Sequence, residues 1–381
     1  TQAPATTIAP APAPTGQVIH VRAGANGNGS ANSPLGSIKD AINRVNAGGT
    51  VLVHAGTYPG FTVTKSGQAG AFITIAAAPG ERALLDPSQH SGIVIDNAHH
   101  VEVRGFEIKG HNNPSGTGIR MINNSHSVRI VGNNVYNFPG SGIELNFAAG
   151  AHILNNRIHG NSRRSPYQTS GLSIFKAKGS NGPGWDNVIS GNIIYDNINV
   201  VRSNVGKITD GNCIIIDYNK EFNYQGSFLI SNNICTNNGG RGIHVFHSSN
   251  VLAINNTLYK NLTHPEIQDG ELTALESQNV IFRNNLVWSI EGKRDIHAWR
   301  AGDTIAQNNY IVGDKRDGVG GNNPQIANPQ LRNPNVNPAA NDFRPNAGSP
   351  LIGKGLAQDA PSRDIRGTSR PANPTIGALE P

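Results

Sequence analysis

The sequence predicts an all-β fold: a single-stranded, right-handed parallel β-helix, in which short coils of chain stack into a solenoid. Two recurring phrases and their spacing carry that prediction. The first phrase is a small residue followed by alternating apolar positions: Gly92-Ile-Val-Ile, Gly118-Ile-Arg-Met, Gly142-Ile-Glu-Leu, Gly171-Leu-Ser-Ile, Cys213-Ile-Ile-Ile and Gly242-Ile-His-Val, with weaker echoes at Glu271 and Asp295. A period of two marks a strand with one buried face. The second phrase is an Asn just ahead of apolar residues, at Asn133, Asn156, Asn192, Asn232, Asn256, Asn285 and Asn309. These positions lie 23, 36, 40, 24, 29 and 24 residues apart. A unit of 23 residues is too short for a strand, a helix and their crossover, but it fits one coil of short strands joined by turns. Stacked Asn side chains can hydrogen-bond along such a stack, and Asn tolerates the left-handed backbone of a sharp turn.

The elements follow in order. Residues 1–16 form an Ala/Pro/Thr tract that is too polar and Pro-rich to pack. It is expected to be a disordered tail left by a secretory leader, so the protein is expected to be secreted, extracellular or periplasmic. Residues 17–381 are expected to form one β-helix domain. Its first part, 17–90, supplies a cap and the first coils: a strand at Val18–Arg22, then an amphipathic helix over Ser37–Val45 with Ser37 as N-cap. A helix there covers an open strand end that would otherwise pair with another chain. Residues 91–313 supply the core coils, and the Pro/Asn-rich segment 314–381 is expected to run back along the stack as an irregular tail.

Composition agrees with many strands and turns: 45 Gly, 23 Pro and only 15% charged residues. The formal charge of +6 favours an anionic partner. No Lys/Arg-rich run alternates with aromatics, so nucleic acid is not expected. No apolar run is long enough to span a membrane. A monomer is expected. Cys213 and Cys235 have no CxxC or metal-ligand spacing; they can pair or stay buried as thiols, and free thiols are the expectation.

The longer units place their extra residues at 160–170, 177–188, 197–210 and 219–226, in consecutive coils. Insertions in repeat proteins become loops, often on the binding face, so these should wall one groove. Alternation then names the outward side chains. Glu144, Asn146, Asp217, His244 and Phe246 face outward, and Lys176, Tyr218 and His247 lie just beyond their strands. Arg241, Asp210 and Lys220 flank strands, and Arg163, Arg164 and Tyr167 lie on an inserted loop.

This coil pattern, over roughly residues 18–313 and the tail, resembles the secreted polysaccharide lyases and related pectate-degrading enzymes built on right-handed β-helices. The resemblance implies β-elimination on an anionic, uronic-acid polysaccharide. A cation or a basic side chain offsets the substrate carboxylate, a base removes the C5 proton, and the 4-linked sugar leaves. Asp210 and Asp217, with Glu144, look like the acidic coil that holds Ca²⁺ in the calcium-dependent pectate lyases; Asn146 would add an oxygen or bind substrate. In the place of their lysine base stands His244, which the reading takes as base, with Lys176, Lys220 and His247 as rivals. Arg241, Arg163 and Arg164 would bind the carboxylate, and Asp217 would orient His244 or hold the cation. Tyr167, Tyr218 and Phe246 would stack on sugar, and Tyr218 could protonate the leaving oxygen. Two alternatives stay open: a glycoside hydrolase pairing Asp217 with Glu144 or Asp210, and a non-catalytic carbohydrate-binding solenoid.

Overall fold

The computed structural model describes residues 16–179, 184–313, 316–317, 319–321 and 327–381. The Ala/Pro/Thr tail up to residue 15 lies outside them, as do parts of the 177–188 insertion and of the Pro/Asn-rich segment after 321. Three parallel sheets run the length of a solenoid. Sheet I has ten strands, among them Phe61–Val63, Ile93–Asp96, Ile119–Ile122, Ile143–Asn146, Leu172–Phe175, Ile214–Asp217, Ile243–Phe246, Gly270–Leu275 and Arg294–Trp299. Sheet II has twelve strands, from Val18–Val21 to Gly320–Gly321, and sheet III has ten, from Gly56–Tyr58 to Tyr310–Ile311. Each coil visits I, II and III in turn. In the sheet I strands after Phe61–Val63, the first phrase of the sequence supplies the inward residues: Ile93, Ile119, Ile143, Leu172, Ile214, Ile243, Leu272 and Ile296 form one in-register column inside the tube. Burying this column and its counterparts excludes water from a core that runs the length of the stack.

The second phrase builds a ladder at the turn from sheet II to sheet III. The amide of each Asn donates to the carboxamide oxygen of the next, from Asn133 through Asn156, Asn192, Asn233, Asn256 and Asn285 to Asn309, at 2.9–3.1 Å. One rung differs from the expectation: Asn233, not Asn232, occupies the ladder. The residue before each ladder Asn takes the left-handed conformation, as at Asn155, Asn232 and Asn284 (φ 56°, 54° and 52°). In the later coils those left-handed Asn residues face outward and hold the C-terminal segment. Asn232 donates to the Arg363 carbonyl, Asn255 to Thr375 and Asn284 to Leu356. That segment lays Phe343, Leu351, Ile365 and Leu379 over Ile234, Tyr259 and Leu286 of sheet III.

At the opposite end the helix Ile38–Arg44 closes the tube, burying Ile38, Ala41 and Ile42. Ser37 caps it by accepting from the Asp40 amide at 3.2 Å. Cys213 and Cys235 form a disulfide inside the tube, which corrects the expectation of free thiols. Cys213 directly precedes the sheet I strand Ile214–Asp217 and Cys235 lies on the sheet III strand Ile234–Thr236 of the same coil; both are buried, with Cα atoms 5.8 Å apart, a separation that a disulfide spans.

Candidate functional site

The outer face of sheet I carries two columns of side chains. Register places Arg120, Glu144, Ser173, Ile215, His244, Thr273 and His297 in one. Ile122, Asn146, Phe175, Asp217, Phe246, Leu275 and Trp299 stand in the other. The loops entering sheet I, around 111–117 and 160–170, rise on one side, and the loop 218–227 rises on the other. The entering loops border a groove of about 490 Å³ over the middle coils. Its floor is Arg120, Glu144, Asn146, Ser173, Phe175 and Asp217, and Ser115–Thr117, Ser165 and Tyr167–Thr169 wall it. Tyr167, 83% exposed, stands at the rim.

Within the floor Glu144 accepts from Arg120 Nε at 3.3 Å, from Thr117 Oγ1 at 3.3 Å and from the Asn146 amide at 3.1 Å. Asp217 is different. Its Oδ1 is buried without a hydrogen-bond partner, as is Asn146 Oδ1. Burial, then the charges of Asp210 and Glu221, push its carboxyl up to about 8 against the opposing pull of Lys176. Asp210 is pushed up as well, chiefly by burial; its two oxygens accept from Thr209 and Asn212.

Lys176 follows Phe175 at the groove edge. Its Nζ lies 4.6 Å from the Phe175 ring centre, 5.1 Å from Phe222 and 5.6 Å from Phe147. Three ring faces of this kind attract an ammonium. Lys176 belongs to a column of left-handed residues at the ends of the sheet I strands from Ile93–Asp96 to Arg294–Trp299. In the early coils the column is Asn97 and Asn123 (φ 46° and 54°); then come Phe147, Lys176, Tyr218, His247, Glu276 and Arg300 (φ 52°, 54°, 54°, 43°, 50° and 48°). Asn is at home there, whereas bulky residues are not. The middle and later coils accept that strain to present larger side chains.

Several expected site residues lie elsewhere. His244 stands on the outer face but is only 4% exposed and does not reach the groove. Its Nδ1 is 2.5 Å from Thr273 Oγ1, and burial, then Arg241, hold its pKa well below that of a free imidazole. The expectation of a groove-lining His244 base is therefore corrected. Arg241 is committed too. Its Nε and Nη2 donate to Asp269 Oδ2 at 2.9 and 2.8 Å, and Nη1 donates to the Thr209 carbonyl, so it is not free to bind a substrate carboxylate. Arg164 donates to the His111 and Asn137 carbonyls and anchors its loop, and Arg163 reaches the Asp196 carbonyl. Lys220 donates to the Glu276 carbonyl. His247 stacks on Tyr218 at 4.9 Å, between Glu221 and Glu276, and Phe246 packs edge-on against Tyr218.

The sequence reading passed over Arg120, Phe147, Phe175 and Phe222. Arg120 and Phe175 were legible in principle, since they share an outward register with Glu144 and Asn146, and Phe147 shares with Lys176 the left-handed position just beyond a strand. Phe222 lies on an inserted loop where no periodicity exists.

A hard cation such as Ca²⁺ takes six to eight oxygens. Among the described residues no group of three or more His, Cys, Asp or Glu converges to hold a metal. The partnerless Asp217 oxygen and the neighbouring Asp210 charge are features a cation would relieve, but Asp210 already accepts from its own segment and Glu144 is engaged by Arg120. Two carboxyls fall short of a complete calcium site.

Residues 18–199 match the family model described as the Pel9A-like, right handed beta helix region. The pectate lyase PEL9 of Emericella nidulans is 27% identical over 192 residues, 45% of this chain; the chain thus spans 44% of the length of that curated relative. Among solved structures, pectate lyase Pel9A superposes with a TM-score of 0.61 at 20% identity, covering 96% of both chains. A complex of XylC with xylose gives 0.55 at 11% identity, covering 95% of this chain and 98% of that one. An alginate lyase of the PL6 type, bound to a trisaccharide, gives 0.51 at 17% identity, covering 79% and 61%. At those identities the superpositions speak for the fold, and with the matched region they make this chain a right-handed parallel β-helix protein of pectate-lyase-like build.

Proposed function

We propose that the protein is a secreted polysaccharide lyase that cleaves an acidic, uronic-acid-containing polysaccharide by β-elimination in the sheet I groove. The observation that carries this reading is a buried groove-floor carboxyl with a partnerless oxygen, Asp217, pushed up to about 8 against the pull of the Lys176 ammonium, which follows Phe175 at the groove edge. The pectate lyase names of the sequence relative and of the superposed Pel9A chain support it. So does the buried disulfide, since such bonds persist in oxidising compartments.

The chemistry follows from the charges. Lys176 and Arg120 meet the substrate carboxylate and stabilise the negative charge that develops when the C5 proton leaves. The Asp217 carboxylate takes that proton. A carboxylate whose conjugate acid titrates near 8 is a stronger base than an ordinary one. The C5–H electron pair becomes the C4=C5 double bond, the C4–O bond breaks, and the departing sugar oxygen takes a proton from solvent. Asn146 and Tyr167 contact the sugar, with Phe175 offering it an apolar face. Calcium enters this reading only if the substrate brings further oxygens to Asp210 and Asp217, and no step depends on it.

The same observation favours one second reading. A raised carboxyl, Asp217, and a second one, Glu144, share a floor two layers apart, roughly 10 Å of stack. That resembles the acid and base of an inverting glycosidase. Incubation with polygalacturonate and with alginate separates the two. Ultraviolet absorbance from unsaturated ends is expected, and its loss in Asp217→Asn. New reducing ends without absorbance would replace the lyase reading by the hydrolase one.

A further inference from the structure

We infer a second sugar-binding position, three layers beyond Asp217, in which Trp299 stacks on a ring of the same acidic polysaccharide and Arg300 meets its carboxylate. This rests on the polysaccharide reading above and extends it along the stack.

Register sets the path. Asp217, Phe246, Leu275 and Trp299 are successive partners in one outward column, so Trp299 lies roughly 14 Å along the stack from Asp217. The companion column is closed over the same layers: His244 and Thr273 are buried, and His297 Nδ1 is held by Asp269 at 2.6 Å. Phe246 and Leu275, both half-buried, and the exposed Trp299 carry the column of the groove floor past Asp217 as an apolar strip.

Trp299 is 48% exposed although it sits on a regular strand, not on a loop. An indole left in water on a rigid element forgoes burial that a smaller side chain would not miss. The Arg300 guanidinium carbon lies 4.2 Å from its ring centre. Arg300 makes no ion pair among the described residues. Its backbone is left-handed, at φ 48°, in the position that Asn97 and Asn123 fill in the first coils. Asn would suit that turn better, so the chain presents a cation there at a conformational cost. An exposed indole with a guanidinium over one face that makes no ion pair among the described residues, in the column that continues the groove floor, fits an anionic sugar chain: the sugar's apolar face meets the indole's other face and the carboxylate meets Arg300.

The test uses the full chain with sodium polygalacturonate and sodium alginate as probes. Trp299→Ala is expected to raise KM on the cleaved polymer about tenfold while kcat changes little, because the lost contact is remote from the reacting atoms. Arg300→Gln is expected to raise KM less and to flatten its dependence on salt. Thermal melting checks that each variant folds; Trp299→Phe, which keeps a ring, should stay close to wild type. KM within about twofold of wild type for both Trp299→Ala and Arg300→Gln would overturn the inference. Retardation of each protein in polymer-containing native gels separates this failure from that of the lyase reading. A wild type that is retarded but inactive, with Trp299→Ala running free, sinks the lyase and keeps the binding position. A wild type neither retarded nor active on either polymer sinks both.

Discussion

Asp217 and His244 stand on adjacent layers of one outward face, yet only Asp217 opens onto the groove. Asp217 is the register partner of Phe246, and His244 of Ile215. That offset moves His244 into the column beside Arg241 and Asp269, where Thr273 takes its Nδ1. A histidine so placed is a structural group. His244→Gln is therefore expected to keep cleavage within about tenfold of wild type while losing roughly 1–3 kcal/mol of stability. Asp217→Asn should lose at least about a hundredfold in kcat, as removal of a general base does. Rates that fall equally in the two variants would return His244 to the chemistry.

The raised Asp217 carboxyl links activity and stability with opposite signs. The base form grows as pH rises, so kcat should climb through pH 7 toward a plateau above about 8. Stability runs the other way. Below the ordinary value of 3.8 both folded and unfolded chains keep the proton; from there to about 8 the unfolded chain releases it and the folded one retains it. The unfolded state then binds fewer protons, so each step upward in pH destabilises the fold. Asp217→Asn removes this term and should melt higher than wild type at pH 8, by an amount on the order of a few kcal/mol, with little difference at pH 4. Equal melting temperatures at both pH values would show that Asp217 carries no such strain.

Asp269 gives the opposite case. Burial opposes its charge, but Arg241, His244 and His297 outweigh that and hold it at about 2. Its folded value lies below the ordinary 3.8, so its contribution is present above about pH 4 and is lost as pH falls toward 2. Asp269→Asn should abolish that acid limb of the stability profile and release Arg241, at a cost of roughly 3–5 kcal/mol at neutral pH for breaking a buried pair. A variant as stable as wild type at pH 7 would show that the buried pair adds no net stability.

The coil register was legible because alternation is a local property: the outward pairs read from Gly142-Ile-Glu-Leu and Gly242-Ile-His-Val are the pairs the sheet presents. The ladder was legible to within one residue, and the slip came where Ser231-Asn-Asn-Ile234 offers two Asn side by side. What a loop covers was not legible. His244 and Glu144 obey the same alternation, and only the packing of Asp269 and Thr209 around Arg241 distinguishes them. The disulfide escaped for a related reason. Cys213 and Cys235 belong to different sheets of one coil, and their approach depends on how the tube closes rather than on spacing. A second ladder was missed as well. Asn161, Asn197, Asn238 and Asn261 stack at the entry to sheet I and end on Glu271, outside either recurring phrase.

The disulfide closes a loop of 22 residues, for which chain entropy suggests about 3 kcal/mol. Because both sulfurs are buried in the tube, reductant should not reach them in the native state. The expected result is that thiol labelling under reducing conditions appears only at denaturant concentrations that unfold the chain, and that Cys213→Ala with Cys235→Ala lowers the unfolding free energy by about that amount. Labelling of the native protein would place the bond in a part of the tube that opens locally.

Asn256 is where the ladder should be most costly to cut. Its amide donates to Asn285 Oδ1 and to the Ile230 and Ile254 carbonyls, and its Oδ1 accepts from both the backbone and the side chain of Asn233. Truncation orphans all of those groups inside the stack, and buried unpaired groups cost about 1–3 kcal/mol. Asn256→Ala should therefore destabilise by roughly 3 kcal/mol in urea, more than Asn232→Ala, whose contacts join the stack to the C-terminal segment. Coils depend on their neighbours in a solenoid, so loss at Asn256 should also loosen the adjacent layers, seen as faster amide exchange at Asn233 and Asn285 with the ends of the tube unchanged. Exchange that rises evenly along the whole chain would mean that the ladder stabilises the fold as one unit rather than layer by layer.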